Sequence, residues 1–165
     1  MQKRISILGS TGSIGVNALK VISNCSKELE VLYLSTNKNF TLLLNQVQIF
    51  HPKAVCIVDK YAYEMAKKDL NDVGVECLYG RQGLIELSKR QNVDILLNGL
   101  VGAPGMEPTL SAIEAGINVA LSNKESLVMA GDLIVKAMKK SGAKLFPVDS
   151  EHSAIWQCLI GERID

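Results

Sequence analysis

The sequence predicts an α/β domain built on a doubly wound, mostly parallel sheet, and three observations predict it. Short β-rich runs alternate with longer stretches of helical periodicity along the 165 residues. Several of the runs are continuously apolar, which suits strands buried on both faces. The first run opens directly into a glycine-rich turn at the head of the first helical stretch.

Taken in order, a strand at 4–8 precedes a helix at 14–23, whose Ile14, Ala18, Leu19 and Ile22 share one face. A strand at 31–34 and a helix at 41–50 follow, then a strand at 54–58 and a helix at 61–69, then a strand at 75–78 and a helix at 84–89. The second half repeats the pattern with a strand at 95–97, a helix at 108–115 and a strand at 119–121. The longest helix, 125–140, ends at Lys139, Lys140 and Gly142, which are helix stop signals. A strand at 144–146 and a helix at 151–159 complete the series. No repeat, low-complexity tract or Pro/Gly/Ser linker interrupts it. Ligands of such sheets collect at the carboxyl ends of the strands. That rule selects the loops 9–15, 35–39, 98–105, 122–125 and 147–151.

Composition narrows the function classes. Hydrophobic residues make up 47% and charged residues 21%, as in a packed globular chain rather than a disordered one. Eighteen Lys and Arg against 17 Asp and Glu leave a net charge of +1, without the basic excess of a nucleic-acid binder. No apolar run reaches the roughly 18–20 residues that cross a bilayer, and the apolar stretch before Gly9 is too short for a signal-peptide core. The expectation is a cytoplasmic protein with neither nucleic acid nor membrane as partner. Cys25, Cys56, Cys77 and Cys158 are far apart and form no C-x-x-C, and the histidines are only His51 and His152. Four reduced thiols are expected rather than a disulfide or a His/Cys metal site.

The turn Gly9-Ser10-Thr11-Gly12-Ser13-Ile14-Gly15 has the strand and helix that a dinucleotide loop needs. Gly9 permits the tight exit from the strand, Gly12 lets a pyrophosphate approach the backbone, and Gly15 lets the helix pack closely. The helix end offers N–H groups and a partial positive charge, and the hydroxyls of Ser10, Thr11 and Ser13 are further donors. No Gly-Lys-Ser/Thr follows, so the loop is not a Walker A motif. The competing reading is a Gly/Ser turn without a ligand. The second strand runs into Ser35-Thr36-Asn37-Lys38-Asn39, which lacks the acid that holds a ribose 2′-hydroxyl in NAD enzymes. Lys38 suits a 2′-phosphate, with Ser35, Thr36 and Asn37 as hydrogen-bond donors, so NADP is preferred over NAD.

Two later loops carry charge. In Ser122-Asn123-Lys124-Glu125-Ser126, Ser122 or Asn123 can cap the longest helix, with Glu125 in its first turn. Lys124 opposes the helix dipole there, which points to an anionic substrate. In Pro147-Val148-Asp149-Ser150-Glu151-His152, Asp149 and Glu151 point the same way if the segment is extended. Two such carboxylates suit a hard cation, Mg²⁺ or Mn²⁺. The alternative is Asp149 or Ser150 as an N-cap with Glu151 in the first helical turn. His152 is either a third ligand or a packed histidine at the helix start.

Four segments, ILGSTGSIG at 7–15, LLNGLVGAPGMEPTLSAIEAG at 96–116, ALSNKESLVMAG at 120–131 and LFPVDSEHSAIWQCL at 145–159, together resemble the N-terminal part of the 1-deoxy-D-xylulose 5-phosphate reductoisomerase family. The resemblance implies a Rossmann-like NADPH-binding domain over 1–148, with 149–165 the start of the catalytic, metal-binding region. It implies cofactor contacts from Thr11, Gly12, Ser13 and Ile14, from Asn37, Lys38 and Asn39, and from Asn123 and Glu125. It implies substrate contacts from Lys124, Ser150 and Glu151, with Lys124 and Glu151 catalytic, and Mg²⁺ or Mn²⁺ held by Asp149 and Glu151. The family commonly has glycine where this chain has Asn37; asparagine also adopts a left-handed backbone, so the loop shape is expected to survive.

The implied reaction is NADPH-dependent conversion of 1-deoxy-D-xylulose 5-phosphate to 2-C-methyl-D-erythritol 4-phosphate, in non-mevalonate isoprenoid biosynthesis. Family members are more than twice this length and tend to be homodimers. Their third metal carboxylate and phosphate-binding side chains fall beyond Asp165, so the 165-residue chain is expected to bind cofactor and turn over nothing. Two alternatives stand beside this. One is another NADP-dependent dehydrogenase with a nucleophilic cysteine, although no cysteine here falls in a strand-end loop beside a histidine. The other is a non-catalytic dinucleotide-binding module.

Overall fold

A computed structural model describes residues 2–162. Seven strands alternate with seven α-helices among them. They are β1 (Lys3–Leu8), α1 (Ser13–Asn24), β2 (Leu29–Thr36), α2 (Phe40–Phe50), β3 (Ala54–Ile57), α3 (Lys60–Asp72), β4 (Glu76–Tyr79) and α4 (Gly80–Ser88). Then follow β5 (Ile95–Asn98), α5 (Met106–Glu114), β6 (Asn118–Leu121), α6 (Lys124–Ser141), β7 (Leu145–Pro147) and α7 (Ser150–Leu159).

The strands form one sheet in the order β4-β3-β2-β1-β5-β6-β7. Every pairing among the described residues is parallel, so the mostly parallel sheet of the sequence is parallel throughout. Parallel neighbours need helical crossovers, and these bury both faces. Ile5, Ile7, Val31 and Val55 meet Leu19 and Ile22 of α1, Leu43 and Val47 of α2, and Leu70 of α3. Leu8, Leu96 and Leu121 meet Leu84 and Leu87 of α4, Ala112 and Ile113 of α5, and Ile134 of α6. Each fully buried Val, Leu or Ile side chain among these contributes about 1.5–3 kcal/mol. The centre of the sheet is locked at its amino end, where Arg4 donates to both carboxylate oxygens of Asp94 at 2.9 and 3.0 Å.

Each expected strand and helix is present, with ends moved by a few residues. The second strand extends through Ser35 and Thr36, which pair with Cys56 and Ile57 and are buried despite their polarity. The fourth helix starts at Gly80 rather than 84. A 3₁₀ turn at Ala103–Gly105, which the sequence did not suggest, precedes α5. Helix α6 breaks at Ala130 (φ −137°, ψ 20°). Helix α7 buries none of its residues and leaves Ile155, Trp156 and Leu159 exposed. The four cysteines are free thiols. Among the described residues, no helix is long and apolar enough to cross a membrane.

Candidate functional site

The strand order reverses between β1 and β5, and that switch point is where open α/β sheets bind ligands. Backbone bonds stitch the loops leaving this edge: Gly99 N–H donates to Leu8 O at 3.0 Å, Ser122 N–H to Asn98 O at 3.1 Å, and Val148 N–H to Leu121 O at 2.9 Å. The five loops chosen from the sequence therefore share one edge of the sheet.

The glycine loop has the shape a phosphate requires. Gly9 adopts φ +77°, a left-handed turn that suits glycine. A Cβ at Gly15 would collide with the Gly9 carbonyl and lie 2.5 Å from Ser10 Cα, so only glycine lets α1 fold back on the loop. Gly12 is the N-cap of α1, and the helix has neither a side-chain cap nor an acid in its first turn. Its terminal N–H groups are left for an anion. Gly12 and Ser13 are exposed at this end, with Thr11 and Ile14 half-buried beside them.

Several hydroxyls expected to face phosphate point into the protein instead. Ser10 is fully buried; its hydroxyl donates to Gln46 Oε1 at 2.7 Å, and Gln46 Nε2 returns a bond to Ser10 O at 2.8 Å. Ser35 Oγ accepts from Gly9 N–H at 3.0 Å, and Thr36 Oγ1 lies 2.6 Å from Thr11 Oγ1. Ser10, Ser35 and Thr36 thus shape the loop rather than bind the ligand, because an unpaired hydroxyl at zero exposure is unfavourable. Gln46 was missed from the sequence. Its signal was a polar residue between Leu43 and Val47 on the buried stripe of α2. Asn37, Lys38 and Asn39 remain exposed. Asn39 also caps α2, its Oδ1 accepting from Leu42 N–H at 3.2 Å.

Asn123 is 1% exposed, and its carboxamide is filled. Nδ2 donates to Leu100 O at 2.8 Å and Gly102 O at 2.6 Å, while Oδ1 accepts from Ser126 N–H and Oγ–H, both at 2.9 Å. It is the cap of α6 and the clamp on the loop after β5, so any contact it makes with a ligand runs through its main chain. Glu125 is exposed in the first turn of α6.

Around the last strand the capping alternative is realised. Asp149 is the N-cap of α7, its Oδ1 accepting from His152 N–H at 2.9 Å and lying 2.8 Å from His152 Nδ1. Asp149 is itself extended, whereas Ser150 and Glu151 are already helical. His152 thus holds Asp149 in place. Lys124 Nζ donates to Glu151 Oε1 at 2.8 Å, which gives the misplaced helix-start cation an anion. That hydrogen bond holds the Glu151 carboxyl below its ordinary value and Lys124 above its own. Burial pushes the Asp149 carboxyl up, but the His152 amide and ring outweigh it and leave the carboxyl low. Both groups are therefore ionised at neutral pH, each with an oxygen beyond the one engaged by His152 or Lys124. That is the donor chemistry a hard divalent ion needs, and here it amounts to two carboxylates. Among the described residues, no group of three or more His, Cys, Asp or Glu side chains converges. A cavity of about 670 Å³ between α5 and α6 is lined by Leu110, Leu133 and Ala137 and contains none of these residues.

Comparison with known proteins agrees with this fold. Residues 5–131 match the family model for 1-deoxy-D-xylulose 5-phosphate reductoisomerase. The reductoisomerase of Chloroherpeton thalassium is 44% identical over 160 residues, covering 97% of this chain and 41% of that protein. The reductoisomerase from Zymomonas mobilis in complex with NADPH superposes with a TM-score of 0.90 at 37% identity, over 96% of this chain and 41% of that one. A reductoisomerase in complex with NADPH, fosmidomycin and magnesium also gives 0.90, at 39% identity over 94% and 38%. This chain thus spans about two fifths of the length of the proteins it matches. With its match over 127 of 165 residues, counted from residues 5–131, the chain belongs to the 1-deoxy-D-xylulose 5-phosphate reductoisomerase family.

Proposed function

We propose that this chain is the NADPH-binding part of an enzyme that converts 1-deoxy-D-xylulose 5-phosphate to 2-C-methyl-D-erythritol 4-phosphate. The observation that carries the proposal is the uncapped, acid-free start of α1, behind Gly12, at the switch point of the sheet. Thr11, Gly12, Ser13 and Ile14 hold the pyrophosphate through main-chain N–H groups and the helix dipole. Lys38, flanked by Asn37 and Asn39, faces the 2′-phosphate, where a carboxylate would repel it. Glu125 and the main chain at Asn123 lie on the nicotinamide side of the crevice.

Lys124 and Ser150 meet the anionic substrate, and Asp149 and Glu151 supply two oxygens to Mg²⁺ or Mn²⁺. Bound metal supplies Lewis acidity and a template for the neighbouring oxygens of the ketose. Bound NADPH supplies the hydride. The protein's own work is placement: His152 fixes the Asp149 carboxylate, and Lys124 orients Glu151 until an anion competes for it. Residues 149–165 open the catalytic region, in keeping with an α7 that buries nothing. We extend the reading to a cytoplasmic, homodimeric full-length enzyme on the family resemblance. A cysteine-nucleophile dehydrogenase is a poorer fit, since burial pushes the Cys56 thiol up to about 12 and Cys77 to about 11. The test is a fluorescence titration of the 165-residue chain with NADPH and with NADH. Saturable binding that favours NADPH is expected, and no binding of either overturns the proposal.

A further inference from the structure

We propose that Asn98 is a positioning residue for the dinucleotide site, its carboxamide fixing the main chain of 99–105 against the glycine loop. The inference rests on the dinucleotide reading above. Asn98 is the last residue of β5, at the switch point, and is fully buried. A polar side chain at zero exposure is retained only when its hydrogen bonds are made. All of them go to the following loop and the helix it enters. Nδ2 donates to Gly105 O at 2.8 Å and to Thr109 Oγ1 at 2.7 Å, while Oδ1 accepts from Leu100 N–H at 3.1 Å. The second buried amide, Asn123, takes the carbonyls of Leu100 and Gly102 from the other side. Gly105 is the point where the two amides meet; a Cβ there would lie 3.2 Å from Asn98 Nδ2 and collide with Asn123 Nδ2.

The loop so held is one wall of the crevice. A Cβ on Gly9 would lie 3.2 Å from Gly99 O and 3.3 Å from Leu100 Cδ2, and a Cβ on Gly99 would lie 3.4 Å from Ile14 Cβ. The loops after β1 and β5 therefore touch closely, main chain against main chain at Gly9 and Gly99, with the Leu100 and Ile14 side chains packed beside that contact. Moving 99–102 moves the surface against which Gly9 and Ile14 are set. Asn98 acts on the whole crevice rather than on the 2′-phosphate end, which Lys38 occupies at the far side of β2. Its loss should weaken NADPH and NADH by the same factor.

The experiment measures NADPH and NADH affinity by fluorescence titration, beside thermal melting, for wild type, Asn98→Ala, Thr109→Val, Thr109→Ser and Val75→Ala. Asn98→Ala should weaken both nucleotides about tenfold, or about 1.4 kcal/mol, with the NADPH/NADH ratio unchanged. Thr109→Val removes one partner at constant shape and should weaken both about fivefold, while Thr109→Ser keeps the hydroxyl and restores wild-type affinity. Val75→Ala, a core truncation ahead of β4, should lower the melting temperature without moving either affinity. If Asn98→Ala does not fold, the Thr109 pair carries the test. Wild-type affinity in Asn98→Ala or Thr109→Val overturns the inference, as does an equal loss in Val75→Ala. Failure of the wild-type chain to bind either nucleotide removes the dinucleotide reading itself, and this inference with it.

Discussion

Lys124 Nζ and Glu151 Oε1 stand 2.8 Å apart, so the cation suited to an anionic substrate and a carboxylate suited to a metal neutralise one another. Metal and lysine then compete for the charge of the same carboxylate, although Glu151 keeps a second oxygen free. Lys124→Ala should tighten Mn²⁺ binding to the chain roughly fivefold, the scale of one screened unit charge at this distance, read by Mn²⁺ electron paramagnetic resonance. Unchanged or weaker binding would show that the pair does not compete.

Two glycines of the loop, Gly12 and Gly15, separate by experiment. Gly15→Ala puts a methyl group into the Gly9 carbonyl and should destabilise the chain by about 1–3 kcal/mol. Gly12→Ala meets only Gly9 O, at 3.3 Å, and its φ of −80° suits any residue. It should melt within about 0.5 kcal/mol of wild type yet lose most of its NADPH affinity, because the methyl group stands where, on the proposed reading, the pyrophosphate would approach. Calorimetry and nucleotide titration on the two variants separate architecture from recognition.

Lys38→Ala should weaken NADPH about tenfold, within the range for a charged hydrogen bond, and leave NADH nearly unaffected. The ratio of the two dissociation constants is the measurement. Equal losses for both nucleotides would place Lys38 away from the 2′-phosphate.

Ser6 Oγ is fully buried in β1 and has no hydrogen-bond partner among the described residues. Removing an unsatisfied buried hydroxyl relieves its desolvation penalty. Ser6→Ala should stabilise the chain by up to about 1 kcal/mol in urea denaturation, with the slope unchanged. A loss of stability would mean the hydroxyl is satisfied after all.

The Arg4 hydrogen bond holds the Asp94 carboxyl at about 2, down from its ordinary 3.8. A carboxyl depressed in the folded state contributes stability above its unfolded value and loses it as pH falls through the folded one. The contribution of the pair should be full above about pH 5 and fade between about pH 4 and pH 2. Asp94→Asn should melt lower than wild type at neutral pH and converge with it near pH 2. The difference is expected to be small because both side chains are partly exposed.

Strand and helix order was readable because apolar periodicity is a local signal, and α6 and α7 start within a residue of where capping chemistry put them. The interior polar side chains were not readable. Ser10, Ser35 and Thr36 look like phosphate donors in a linear reading, and only the fold shows Gln46 and the glycine loop taking their bonds. Asn98 was legible only as the first residue of the strand-end loop 98–105, since a single asparagine there is ordinary until Thr109 and Gly105 are brought beside it. The charged loops were legible as residue types and ambiguous in pairing: Asp149 suited cap and metal alike, and Lys124–Glu151 joins residues 27 apart.

The pairing of β1 with β5 has a consequence for how the chain assembles over time. Arg4 and Asp94, at the amino end of that pairing, are 90 residues apart, so closing the middle of the sheet means closing a long loop. Such closures come late and slowly, because chain entropy is lost before distant contacts return anything. The proposed nucleotide cradle opens at residue 9, yet its second wall at Gly99 does not exist until nearly 100 residues have left the ribosome. A nascent chain shorter than that can form α1 and its neighbours, but not a pocket.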